Sequence, residues 1–342
     1  MKVGYNIRLT LLLSCIVLSG TAQDFHLSQY DAAPLYLNPA MTGLISSKFR
    51  IHAHYRTQWK SVATKPFRTS AISYDMPVKR FAFGAQIMDN RAGAGKFNVV
   101  SILLSGGYDL SLDDNNDHHI SFGLQFGMLQ KSVDISQLTW DNQYVYTNGG
   151  SFNPNISSGE NFTNQSATMP DINLGAMYFY AKDNYIVNPF LGFAVMHITQ
   201  PDESFLGVES NLPIRYVLHG GVKININEKI QLLPKFFKLD QLNDNELTIS
   251  LLGHFYLESF DAYLVFGPTL RNYMTKDLMQ VNKDAAILEF GVKYNQYLML
   301  VSYDINTSSL KPISNGRGGV EISFTYTPNL LKANPVPSCP RM

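Results

Sequence analysis

Over long stretches of the chain, every second side chain is large and apolar. Ile120, Phe122, Leu124, Phe126 and Met128 alternate with Ser121, Gly123, Gln125 and Gly127. Val320, Ile322, Phe324 and Tyr326 are set against Glu321, Ser323 and Thr325, and Ile249, Leu251 and Phe255 oppose Thr248, Ser250 and His254. Within 214–224 the alternation sends Arg215, His219 and Lys223 to one side. A period of two is that of a strand with one greasy face. Counting such stretches predicts about fourteen strands, near 47–57, 67–76, 80–90, 97–110, 118–130, 170–181, 185–197, 213–225, 228–236, 247–257, 261–270, 285–294, 297–305 and 319–327. Most are about ten residues long, the length of a tilted strand crossing a bilayer and longer than strands in soluble sheets.

Turn-forming residues punctuate these strands at 75–80, 113–117, 182–184, 225–228 and 294–297. Residues 131–169 form the longest irregular stretch, with 198–212, 237–246 and 306–318 intermediate. Short turns at one rim and long loops at the other are the asymmetry of an outer-membrane barrel. In hydrocarbon an unpaired strand edge leaves backbone groups unsatisfied, so spanning strands must close on themselves. The expected fold is therefore all-β, a closed antiparallel transmembrane β-barrel of about fourteen strands over 47–327. A large secreted β-sandwich would also alternate. Composition favours lipid: of 342 residues only 16% are charged, against roughly 25% in soluble domains, while 12% are aromatic. With 27 basic and 27 acidic side chains the net charge is zero, which removes the counterion-release basis for nucleic-acid binding.

Residues 1–22 carry Lys2 and Arg8, an apolar run from Leu9 to Leu18, and small Gly20 and Ala22. That is the pattern of a secretory signal peptide cleaved near Ala22, and it directs the barrel to the cell outer membrane. A lipoprotein box at Leu12-Leu13-Ser14-Cys15 fits less well, because apolar Ile16, Val17 and Leu18 continue past the cysteine. Cleavage leaves Cys339 as the one thiol, so neither a disulfide nor cysteine-based metal ligation is expected. After the leader no apolar run approaches the length of a spanning helix. Residues 23–46 are read as an N-terminal periplasmic segment and 328–342 as a C-terminal tail.

Candidate site residues fall in two groups. Asn38, Pro39, Ala40 and Gly43 form a bend ahead of the first strand: Pro39 fixes φ and restricts Asn38, and Gly43 permits a turn closed to other residues. They serve structure or partner docking. Arg56, Gln58 and Trp59 end the first strand. They sit either at the rim, with Trp59 in an aromatic girdle, or with Arg56 in an interior charge network that holds a plug. The second group, Arg215, His219, Lys223, Glu289, Asp304 and Glu321, shares the inward face and predicts a polar lumen with paired charges around a hollow. Arginine in place of Phe122 or Ile322 should then block assembly, and in place of Ser121 or Ser323 be better tolerated. His118 and His119 beside acidic 113–117, and His52 with His54, have no fixed ligand spacing, so no metal or other cofactor is expected. No Gly-x-Ser-x-Gly elbow, His-Glu-x-x-His or phosphate-binding loop occurs, so the chain reads as a non-enzyme without catalytic residues.

Several blocks in order carry a resemblance: Leu37-Asn38-Pro39-Ala40-Met41-Thr42-Gly43, Tyr55-Arg56-Thr57-Gln58-Trp59, Phe83-Gly84, and Asp89-Asn90-Arg91-Ala92-Gly93. They continue with Phe266-Gly267-Pro268 and Arg271, Ser302-Tyr303-Asp304-Ile305-Asn306, Gly318-Gly319-Val320-Glu321-Ile322 and Cys339-Pro340-Arg341. Together these resemble the PorP/SprF family of Bacteroidetes outer-membrane proteins. The resemblance implies a barrel in outer-membrane lipid, tied to the type IX secretion and gliding machinery. Its members act as partners or surface anchors for secreted adhesins, received through the adhesin C-terminal region. Met342 departs from the aromatic last residue expected of such a chain. The alternative is an outer-membrane transport barrel, a porin or a hydrophobic-solute transporter.

Overall fold

Fourteen strands hydrogen-bond into one closed antiparallel ring. A computed structural model describes residues 24–328, apart from 64, 94, 147–148, 161–163, 183–184, 206–208, 243 and 276–279. The ring is built of β1 (Arg50–Gln58), β2 (Phe67–Val78), β3 (Phe81–Ala92), β4 (Phe97–Ser111), β5 (His118–Ser132), β8 (Ser166–Tyr180), β9 (Val187–Met196), β10 (Arg215–Asn225), β11 (Ile230–Gln241), β12 (Asp244–Leu257), β13 (Ala262–Thr275), β14 (Gln280–Tyr294), β15 (Tyr297–Asn306) and β16 (Arg317–Tyr326). β6 (Tyr144–Val145) and β7 (Ser151–Phe152) make a separate small hairpin within the loop between β5 and β8. Closure comes from β1 against β16, with Ile51 opposite Tyr326 and Gln58 opposite Gly319. The ring thus has no unpaired edge, as hydrocarbon demands. Residues 1–22, expected to be a signal peptide, with Cys15, and the tail past 328 with Cys339 and Met342, lie outside the described residues.

The connections at one rim are short, at 79–80, 112–117, 181–186, 226–229, 258–261 and 295–296. The other rim carries 59–66, 133–165, 197–214 and 307–316, and is called here the long-loop rim. Both the start of β1 and the end of β16 lie at the short-turn rim. β5 and β8 run further than the alternation alone indicated, pairing out to Ser132 opposite Ser166.

The two faces follow the period-two pattern. Phe122, Leu124, Phe126 and Met128 are exposed on the outside, while Ser121 and Gln125 are buried within. Ile322 and Phe324 likewise face out, and Glu321 and Ser323 face in.

The expected hollow is plugged by the chain itself, with a cavity left between plug and wall beside Asp24, Tyr36, Gln125 and Arg215. Residues 24–46, read from the sequence as a periplasmic segment, fold inside the ring. Leu37, Ala40, Met41 and Leu44 pack there with inward-facing Met177, Phe179, Phe190 and Val217. A ring of this size encloses more space than its own side chains can fill, and a plug with apolar residues needs apolar partners. The interior is consequently mixed, part apolar and part charged, where alternation alone suggested a uniformly polar one.

Candidate functional site

The plug is fixed near the short-turn rim by close steric fit. Pro34–Leu37 make one helical turn, and Pro39–Met41 make a 3-10 turn capped by Asn38, whose Oδ1 accepts from the Ala40 amide at 2.9 Å. Proline suits the first position of such a turn because the amide it lacks would have no partner there. The Asn38 Nδ2 donates to the carbonyls of Ala176 (3.2 Å) and Phe193 (3.4 Å), and lies 3.0 Å from His219 Nε2. Ser121 Oγ donates to the Ala40 carbonyl at 2.7 Å. The wall opposite is glycine: a Cβ at Gly123 would overlap the backbone of Pro39 and Ala40, one at Gly175 would overlap Asn38 Oδ1, and one at Gly192 the His219 ring. Gly43 takes φ +69°, and its amide donates to Asp75 Oδ2 at 2.7 Å. Asp75 in turn receives Arg50 Nε at 2.9 Å and Nη2 at 2.8 Å, which ties the plug to the root of β1.

Towards the long-loop rim the plug is held by charge. The Glu321 carboxylate accepts the Ser28 amide (2.8 Å) and the Gln29 amide (2.9 Å), and pairs with Arg56 Nη1 (2.5 Å) and His54 Nε2 (2.6 Å). Asp304 Oδ2 accepts from Ser28 Oγ (2.7 Å), Arg56 Nη2 (3.0 Å) and Arg271 Nη2 (3.1 Å). Gln29 completes the set, donating to Ser302 Oγ at 3.1 Å and accepting from Ser323 Oγ at 2.6 Å. All these residues are buried. Above them, Asp24 meets His197 Nε2 (2.8 Å), Arg215 Nη1 (3.3 Å) and Gln241 Nε2 (3.3 Å), at the long-loop ends of β9, β10 and β11. The segment therefore descends the lumen from the long-loop rim to the start of β1.

A family model described as type IX secretion system membrane protein PorP/SprF matches residues 19–326. The chain belongs to the PorP/SprF family. Among solved structures this PorP/SprF barrel is similar to the Ralstonia pickettii toluene transporter TbuX, with 9% identity over 85% of this chain and 92% of that one, and a TM-score of 0.47. It is also similar to the CymD monoaromatic hydrocarbon channel, with 12% identity, coverage of 90% and 95%, and a TM-score of 0.47. A third is CdiB from Acinetobacter baumannii, with 5% identity, coverage of 82% and 60%, and a TM-score of 0.45. No curated protein matches the chain.

In this PorP/SprF protein the sequence-derived candidates are spread over several places. Asn38, Pro39, Ala40 and Gly43 are the lower plug. Arg56, Asp304 and Glu321 form one cluster, with Gln58 at its margin accepting from Arg56 Nη2 at 3.1 Å. Trp59 sits outside that cluster at the long-loop rim, stacked on Phe67. The remaining inward residues do not join a single network. Arg215 turns to Asp24 and lies over the Tyr36 ring, and His219 meets Asn38. Glu289 accepts from Thr269 at 2.5 Å, and Lys223 is half-buried on the same face of β10. Opposite charges on the wall thus meet one another directly around Asp304 and Glu321, whereas Arg215 and Lys235 take their carboxylates from the plug, at Asp24 and Asp31.

Several members of the site escaped the sequence. Arg271, His54 and Lys235, which pairs with Asp31 at 2.5 Å, carry the inward register and were open to being found by alternation. Ser28, Gln29 and Asp24 lie in an aperiodic stretch and give no such signal. The other histidines have ordinary partners: His119 Nδ1 is 2.9 Å from Asp109, His118 Nδ1 is 2.9 Å from Tyr178 Oη, and His52 Nε2 is 3.3 Å from His54 Nδ1. His197, just past the end of β9, is sandwiched between Asp24 and Asp171. Burial opposes its protonation, but the two carboxylates outweigh that and push its pKa up to about 9. Burial likewise opposes ionisation of Asp24, yet His197 and Arg215 hold its carboxyl below the usual range. What this interior does chemically is hold. The family and the fold are those of a secretion membrane barrel.

Proposed function

We propose that this barrel is a non-enzymatic outer-membrane anchor, or docking partner, for a secreted adhesin-type protein received through its C-terminal region by the type IX secretion and gliding machinery. The observation that carries this reading is the plugged lumen. Residues 24–46 occupy it, and buried charge pairs hold the segment where a transport path would run. A rigid plugged cylinder suits attachment, since a docking surface gains from being preorganised.

In this reading the signal peptide is removed near Ala22 and the barrel inserts with the short-turn rim on the periplasmic side. The long-loop rim then faces outward, and 133–165, 197–214 and 307–316 do the recognition. The bend at Asn38 to Gly43 serves the plug, not the partner, because all four of its singled-out residues are buried against the wall or one another. The adhesin and gliding components rest on the family resemblance.

Purified protein in planar bilayers, combined with pull-down from cells, tests the proposal. The expected result is a closed barrel that co-purifies with a very large secreted polypeptide. Steady ion conductance with no such companion would favour the transport alternative and sink the anchor.

A further inference from the structure

β4 carries two glycines side by side, and the plug accounts for one of them. A Cβ at Gly107 would point inward and lie 2.8 Å from the Thr42 carbonyl oxygen, whereas one at Gly106 would point outward and meet no atom within 4 Å. Gly106 does not take a left-handed φ either. Glycine inside a strand weakens it, and often marks a place where something outside the strand approaches closely. Its surroundings deepen the gap: Phe83 lies opposite on β3 and Leu124 opposite on β5, with Phe81, Tyr108 and Phe122 in the next outward row. Together with Ala176 further round the barrel, they border an apolar groove of about 620 Å³ on the lipid face.

The size and position of this groove decide what fills it. Between the backbones of β3 and β5 it spans two strand spacings, roughly 10 Å, and the side chains of Phe83 and Leu124 narrow it further. An α-helix with its side chains is about 10–12 Å across and cannot enter; a single hydrocarbon chain can. An unfilled gap forfeits dispersion contacts along its lining, and the groove is continuous with a face that meets acyl chains throughout. Its mouth is at the short-turn rim. The 79–80 turn directly precedes Phe81, and the Arg80 carbonyl accepts the Asp109 amide at 2.8 Å, which sets that turn beside Tyr108. Lys79 and Arg80 are exposed and form no ion pair among the described residues. In the neighbouring turn Asp117 pairs with Lys182 at 3.2 Å and Asp113 is held by the amides of Asp117 and His118, leaving Asp114 against the two cations. Phe83 is three residues from Arg80, roughly 10 Å along a strand.

We propose that the groove holds one acyl chain of a glycerophospholipid from the leaflet at the short-turn rim. Gly106 gives the chain its bed, Phe83 and Leu124 flank it, and Lys79 and Arg80 engage the head-group phosphate. Guanidinium and ammonium groups without carboxylate partners are free to form charge-assisted hydrogen bonds to phosphate oxygens. On the other side of the same strands Gly107 and Gly123 seat the plug, so the lipid backs the stretch of wall that the plug presses against. Such a lipid has this place whether or not the barrel anchors an adhesin.

Phosphatidylethanolamine, the diacylglycerol with the same chains, and glycerophosphoethanolamine, offered to the delipidated full chain in detergent and followed by native mass spectrometry, test this. Phosphatidylethanolamine should be retained about tenfold better than diacylglycerol, as loss of charge-assisted hydrogen bonds requires, and the water-soluble head alone should not displace it. Gly106→Leu fills the gap without touching the plug; with folding confirmed by heat-modifiable mobility, it should lose the retained lipid. Lys79→Gln/Arg80→Gln, in a turn outside the ring, should bring phosphatidylethanolamine down to the level of diacylglycerol. Equal retention of the two lipids by the unaltered protein overturns the proposal, as does undiminished retention by folded Gly106→Leu or an unchanged preference in the double variant. So does full displacement by the head alone, or a groove taken by a second copy, seen as a dimer that Gly106→Leu dissolves. Should Gly106→Leu fail to fold, the double variant decides alone.

Discussion

The two halves of the plug lie in one lumen and are fixed by different physics. From Asn38 to Gly43 the segment is small, turned and pressed against glycines; from Asp24 to Gln29 it is threaded through buried carboxylates and guanidinium groups. Steric fit is local and insensitive to solvent conditions. Buried charge is strong only while every partner is present, because each ion left alone in a low-dielectric interior keeps its desolvation cost. The lower half should therefore respond to volume, and the upper half to charge and pH.

The largest effect is expected from Glu321→Ala. It strips acceptors from Arg56, His54 and two plug amides at once, and breaking one side of a buried pair costs about 3–5 kcal/mol. The urea midpoint in detergent reads it, and a cost below that of a lower-half substitution would reverse the comparison. Next comes the lipid face. Phe122→Arg should cost roughly 2–4 kcal/mol at bilayer mid-depth. Ser121→Arg, which alternation alone ranks as the milder change, should be at least as harmful, because Ser121 faces a filled space and bonds Ala40. Assembly yields of the two variants in the outer membrane decide between the rankings.

Smaller is Gly123→Ala, where the new methyl meets the Pro39 backbone. Overpacking of this kind costs about 1–3 kcal/mol, and here the cost should stay constant in thermal melts from low to high salt. The smallest effect near neutrality concerns His197. Its pKa is raised from 6.5 to about 9, so the stability it contributes is fully present below pH 6.5 and is lost as pH rises through about 9. Asp24 is lowered, so its share is present above the ordinary carboxylate range and is lost on acidification. Amide protection, corrected for intrinsic rates, should fall at 24–29 as pH rises from 6.5 to about 9 while 38–43 keeps its own. His197→Gln should abolish that pH dependence, and parallel loss in both halves would erase the distinction between them.

Strand identity, strand number and the assignment of faces were legible in the chain because each depends on a period-two pattern over about ten residues. Closure was legible too, since hydrocarbon forbids an open edge whatever the details. Gly123 stood out as small in the alternation, yet nothing along the chain said that small meant room for Pro39 and Ala40 rather than a hollow. Likewise Asp304 and Glu321 were visible as inward charges and Arg56 as either a rim or an inward one, but their partners were not. The Ser28 amide reaches Glu321 across 293 positions, and a contact of that range leaves no periodic trace. Local alternation determines which way a side chain points; only the closed ring, by bringing the first described residues against the last strands, decides what it finds there.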